Sequence, residues 1–195
     1  PRSPIVFTDV ANRAGLGFIH HNGAAGNFWY PELFGGGVAV LDIDSDGWPD
    51  LLFVNGKEWT SGAPRARHGL YRNNRDGTFK DVLAGSGLDA ANGYGLGATI
   101  ADYDNDGRDD IFMTTVDGGR LFHNAGHGTF ADVPLRAGLR TTDFCVSPAW
   151  PDADRDRLLD PRIVNYAPMS PTPQSRSPPG RVRRLLGPAA YPAPR

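Results

Sequence analysis

The sequence predicts an all-β chain made of repeated four-stranded antiparallel units, and three observations carry that expectation. Short apolar runs are separated by turn-forming residues, in a chain with 25 glycines and 17 prolines among 195 residues. Two different phrases recur together along the chain. Between the apolar runs no ten-residue helical pattern intervenes, so there is no crossover helix of the kind a parallel sheet requires.

The first phrase is LDIDSDGWPDLLFV at residue 41, echoed by ADYDNDGRDDIFMT at 101 and PDADRDRLLDPRIV at 151. Its leading aspartates fall at 42, 102 and 152. The second phrase is TFKDVLAGSGL at 78, matched by TFADVPLRAGL at 129 and by an earlier copy, FTDVANRAGL, at 7. In the first complete unit GVAVLD (37 to 42) and LLFVN (51 to 55) are the apolar strands on either side of the acidic loop. LYRN (70 to 73) and TFKDV (78 to 82) follow, joined by NRDG, whose Asp-Gly is a hairpin signal. The next unit repeats the order as GATIAD, DIFMTT, RLFHN and TFADV.

Four short strands per repeat of about 50 residues is the pattern of a β-propeller blade. Inner strands of a blade are covered on both faces by neighbouring blades, which accounts for their nearly continuous apolar runs. Propellers close with roughly four to eight blades. The chain supplies two full units, part of a third and a leading strand FTDV (7 to 10), so it reads as about three blades of a longer propeller. Residues 1 to 166 form the blades, and 167 to 195 a Pro/Arg-rich tail expected to be a linker or disordered end.

Charge divides along the same boundary. Residues 161 to 195 hold six arginines and no acid, leaving 14 basic against 22 acidic groups in the rest. Such an acidic surface disfavours nucleic acid as the partner of the blades. A single cysteine, Cys145, excludes an internal disulfide framework and a cysteine-built zinc site, and it reads as a buried structural thiol at a strand start. No run of about 18 apolar residues is present, so no membrane span is expected. The start at Pro1, without a methionine or an apolar leader, reads as a mature form or a fragment.

The acidic loops follow DxDxDGxxD. Carboxylates at positions 1, 3 and 5 converge when the backbone curls tightly, and glycine at position 6 tolerates the positive φ that the curl needs. A carbonyl at position 7 and an aspartate at position 9 complete an all-oxygen cage suited to a hard cation, with calcium favoured by the flexible coordination. Two carboxylates about 4 Å apart repel by roughly 1 kcal/mol in water and roughly 4 at an effective dielectric of 20, so the loop needs a counter-ion. The candidate ligands are Asp42, Asp44, Asp46, Asp50 and the Trp48 carbonyl in the first loop. In the second they are Asp102, Asp104, Asp106, Asp110 and the Arg108 carbonyl, and in the third Asp152, Asp154, Asp156, Asp160 and the Leu158 carbonyl. An EF-hand is excluded, because position 12 is Phe53, Met113 or Ile163 where that motif requires glutamate. A plain Asp-Gly turn would not need Asp50, Asp110 and Asp160. The third copy departs: Arg157 replaces the glycine, and Pro161 and Arg162 interrupt the following strand. Two calcium sites are therefore expected, with a third weak or empty.

FGGGVAVLDIDSDGWPDLLFVNG (34 to 56) resembles the FG-GAP, or VCBS-type, repeat of integrin α-subunit propellers and many bacterial surface proteins. GFIHHNGAAGNFWYPELFGGGVAV, with NRDGTFKDV and GYGLGATIADYDNDG downstream, is similar to the ASPIC/UnbV group, which includes cartilage acidic protein. The likeness covers about residues 5 to 166. It implies a seven-bladed propeller in a secreted, periplasmic or surface protein, with calcium loops that brace blades and take no part in catalysis. Interaction with a protein or glycan ligand, with the remainder of a longer propeller alongside, is the role it implies. The tail after Tyr166 departs from the family pattern.

Aspartates saturated by a cation are poor proton donors, which argues against acid-base hydrolysis by the loops. His20, His21, His68, His123 and His127 lack the spacing of a zinc-protease helix and read as loop or blade-surface residues. Ser86 lacks the strand-to-helix setting of a nucleophile elbow. Trp29, Tyr30 and Trp59 suit either ligand stacking or packing between blades. The alternative reading is an accessory propeller region of an extracellular carbohydrate-active or other hydrolytic enzyme.

Overall fold

A computed structural model describes residues 5–26, 29–60, 62, 67–134, 144–157 and 159–165. The Pro/Arg-rich tail and Leu158 lie outside them. Among the described residues there is no α-helix; short 3-10 turns occur at Tyr30–Leu33 and Leu88–Ala90.

The first blade is a four-stranded antiparallel sheet ordered β1 (Val38–Leu41), β2 (Asp50–Phe53), β3 (Gly69–Asn73), β4 (Phe79–Asp81). The second repeats it as β5 (Gly95–Ala101), β6 (Asp110–Thr115), β7 (Gly118–Gly126), β8 (Thr129–Val133). Registers correspond: Leu41 pairs with Asp50 and Leu51 with Tyr71 in one, Ala101 with Asp110 and Ile111 with Phe122 in the other. A third, two-stranded sheet pairs β9 (Cys145–Ala149) with β10 (Arg162–Asn165), and β9 lies against β5 and β6. The chain is thus an open run of propeller blades.

Stacking of blades makes the core. Ala39, Leu41, Leu52, Val54 and Leu70 from the first blade meet Ile111, Met113, Phe122 and Phe130 from the second. Every residue of β6 is buried, because β9 and Trp150 cover its other face, where Phe112 meets Trp150 edge-on. In β1 burial alternates instead: Ala39 and Leu41 face the core while Val38 and Val40 are each 60% exposed. Close approach of the blades needs glycine at one point, since a Cβ on Gly37 would stand 2.6 Å from the Gly97 Cα.

Two expectations are corrected. FTDV (7 to 10) forms no strand; residues 7 to 10 are exposed, and the turn that follows reaches β4 instead, with Phe79 N–H donating to the Ala14 carbonyl at 2.8 Å. A lone segment of that length gains no ladder without a partner edge, and the edge of β4 is met by residues 14 and 15. Pro161 and Arg162 do not interrupt the last strand. They delay it: β2 and β6 begin at the ninth-position aspartate, whereas β10 begins at Arg162, just after the proline that has no N–H for the ladder.

Candidate metal centres in the acidic loops

Each acidic loop joins the first two strands of a sheet, so its ends are fixed by ladder pairs; in the first two loops the middle must turn within eight residues, in the third within twelve. Two residues in each loop take the left-handed conformation, at positions 4 and 6: Ser45 and Gly47, Asn105 and Gly107, Arg155 and Arg157. Glycine at position 6 was legible in the sequence. Position 4 was missed, although asparagine at 105 is a mild signal for that region.

Hydrogen bonds then arrange the carboxylates identically in the first two loops. Asp42 accepts from Asp46 N–H at 3.0 Å and Gly47 N–H at 2.8 Å; Asp102 accepts from Asp106 N–H at 2.9 Å and Gly107 N–H at 2.8 Å. Asp50 accepts from Ile43 N–H at 2.9 Å and Asn73 N–H at 2.7 Å, and Asp110 from Tyr103 N–H at 3.2 Å and Asn124 N–H at 2.7 Å. Positions 1 and 9 are thereby held by backbone donors at both ends of the loop. As a result Asp42, Asp44 and Asp50 each bring an oxygen within 4.8 Å of the others, as do Asp102, Asp104 and Asp110, and Asp152, Asp154 and Asp160.

Position 5 behaves differently. Asp46 pairs with Arg75 at 2.6 Å and with Arg72 at 3.5 Å, and the Arg75 guanidinium holds its carboxyl below the usual range. Asp106 pairs with Arg108. The Trp48 side chain is 44% exposed, Arg108 donates from Nε to the Asn124 carbonyl at 2.7 Å, and Leu158 lies outside the described residues. Asp156 donates its N–H to Asp154 at 3.1 Å in the third loop, where residues 151 to 157 are exposed throughout.

The donor set fits a divalent cation on two counts. Burial raises the pKa of Asp50 and Asp110, and the neighbouring Asp42 and Asp44, or Asp104, raise it further, so both sites are short of positive charge. Asp44 Oδ1 is buried and has no hydrogen-bond partner, while its Oδ2 is met by Arg72 at 2.6 Å. Buried carboxylate oxygens left unpaired are what an oxygen-coordinated ion would satisfy.

Adjacent loops also touch. Asp42 N–H donates to the Asp109 carboxylate at 2.8 Å, and Asn124 donates to the Ile43 carbonyl at 3.3 Å and the Asp109 carbonyl at 3.1 Å. Asp109 and Asn124 were not singled out from the sequence, though asparagine recurs in LYRN and LFHN and its first copy, Asn73, likewise donates to Pro49 O at 3.0 Å.

The FG-GAP-like repeat matches the chain twice, over residues 42–113 and 102–160. The chain belongs to the FG-GAP-like repeat family. Each match runs from the first aspartate of one acidic loop into or past the next loop, so the acidic loop and its flanking strands are what the family shares with this chain. The chain is also similar to Cartilage acidic protein 1 of Xenopus tropicalis, at 26% identity over 182 residues. That alignment covers 88% of this chain but 26% of the relative, so the chain spans about a quarter of the length of the curated relative it matches.

Other singled-out residues have structural settings. Cys145 is buried at the start of β9. Ser86 Oγ donates to the Leu83 carbonyl at 2.8 Å within a buried turn. Trp29 is buried and Trp59 stacks on the buried Tyr94 at 4.5 Å, so these aromatics serve packing. His68 is a correction: it is 2% exposed, not at a surface, and its Nδ1 accepts from Asn55 N–H at 3.1 Å. Gly95 N–H donates to the Asn55 carbonyl at 3.1 Å, which leads from that knot into the second blade.

Proposed function

We propose that the chain is a calcium-braced stretch of an extracellular or surface β-propeller, non-catalytic, which presents a rigid surface to a protein or glycan ligand. The observation that carries this reading is the convergence of the position 1, 3 and 9 carboxylates in successive loops, each loop tying the first two strands of a blade together. Calcium would be held in the first loop by Asp42, Asp44 and Asp50, and in the second by Asp102, Asp104 and Asp110. Asp46 and Asp106 would join once the arginines release them. A bound cation offsets the repulsion that otherwise loosens the loop, and it keeps the blade edges in register for stacking. Extracellular calcium near millimolar fills even modest sites, which accords with an exported protein. The family membership supports the same role. Among the described residues no helix is long and apolar enough to cross a membrane.

Thermal unfolding with and without chelator, followed by calcium titration, tests the proposal. The expected result is a melting temperature that falls in chelator and recovers with calcium, and two binding events by calorimetry. At a free calcium concentration a hundredfold above Kd, each filled site adds about 2.7 kcal/mol. Asp44→Ala is expected to abolish one event and leave the other. Identical melting in calcium and in chelator would overturn the assignment.

A further inference from the structure

On the third strand of each full blade, one position that faces the metal loop carries different chemistry in the two blades. Register places Arg72 on β3 and His123 on β7 as equivalents, each just before the asparagine whose N–H binds the ninth aspartate. In the first blade the guanidinium of Arg72 lies 2.6 Å from Asp44 Oδ2 and 3.5 Å from Asp46 Oδ2. It can neutralise the loop but cannot bind a metal, because it has no lone pair to donate. In the second blade His123 Nδ1 lies 3.2 Å from Asp110 Oδ1 and 3.4 Å from Asp104 Oδ2, and Nε2 lies 3.8 Å from Asp106 Oδ2. That Nδ1 is buried and makes no hydrogen bond, and His123 forms with Asp104 and Asp106 a group whose ligand atoms lie within 4.8 Å of one another. The Tyr103 ring meets the imidazole edge-on at 6.2 Å and limits its swing away from the loop.

We propose that His123 makes the second loop a mixed nitrogen-oxygen site that accepts a borderline divalent cation such as zinc, while the first loop, faced by Arg72, accepts only a hard cation. This rests on the reading of the loops as cation sites. An imidazole beside two or three carboxylates matches the preference of zinc and its first-row neighbours, whereas calcium gains little from nitrogen. The same side chain that lends the loop zinc affinity leaves its calcium cage of Asp102, Asp104 and Asp110 intact.

Calorimetric titration of the full chain with calcium and, separately, with zinc distinguishes the possibilities, read beside the imidazole nitrogen resonances of His123. Zinc is expected to bind once with a shift of the His123 resonance. His123→Asn should weaken that event by about tenfold or more, with both calcium events retained. Arg72→His should create a second zinc event, which keeps the proposal testable if the His123 variant misfolds. Two calcium events with no zinc event, or zinc binding that leaves His123 unshifted and survives His123→Asn, would overturn the inference while leaving the calcium reading intact. Absence of both calcium and zinc binding would overturn both.

Discussion

Arg157 occupies a backbone conformation, φ 73°, that glycine holds in the other two loops at 84° and 85°. A left-handed non-glycine residue costs roughly 1–2 kcal/mol, and the Arg157 residue is exposed. Arg157→Gly is therefore expected to raise the stability of the chain by about 1 kcal/mol in denaturant unfolding. It should also strengthen any calcium response of the third loop. His68 offers a second test at this scale. Burial pushes its pKa down from 6.5 to about 4, so the folded chain keeps it neutral while the unfolded chain takes up a proton below 6.5. Stability from this group is complete above the unfolded pKa and is lost as pH falls from 6.5 towards 4, by about 3 kcal/mol in all. Unfolding measured across that interval should show this slope, and His68→Gln should flatten it.

Between elements, the contact that matters is loop to loop. Asn124 is fully buried and its side chain satisfies the carbonyls of Ile43 in one blade and Asp109 in the other. Asn124→Ala leaves both carbonyls without a donor and is expected to cost roughly 2 kcal/mol or more in equilibrium unfolding. Strands and acidic loops were legible in the sequence because both are local: short apolar runs, turn residues and the DxDxDG spacing repeat with the blade. The Asn124 bridge and the Asn55–His68 knot were not, since their partners lie far away in sequence and polar residues inside a core carry no periodic signal. The segment at 7 to 10 misled for a related reason. Its resemblance to TFKDV is real, but a strand also needs a free edge beside it, and that depends on topology.

For the molecule as a whole, the uneven burial of the two blades is the main fact. Leu52 is fully buried between them while Val40, on the adjacent strand β1 and the opposite face, is 60% exposed. Leu52→Ala should cost about 2–5 kcal/mol, whereas Val40→Lys should stay within about 0.5 kcal/mol in this chain. In a longer chain where a preceding blade covers β1, the same Val40→Lys change should become severe. Denaturant midpoints of the two lengths compare these outcomes directly. The acidic loops have a further collective consequence. Successive loops touch through Asp42 and Asp109 and through Asn105 and Arg157, so their carboxylates line a single rim. Stripped of divalent ions, that rim is a row of anions, and the protein should cling to an anion-exchange resin. Loading with calcium should make it elute earlier, so chromatographic retention becomes a simple gauge of how many loops are filled.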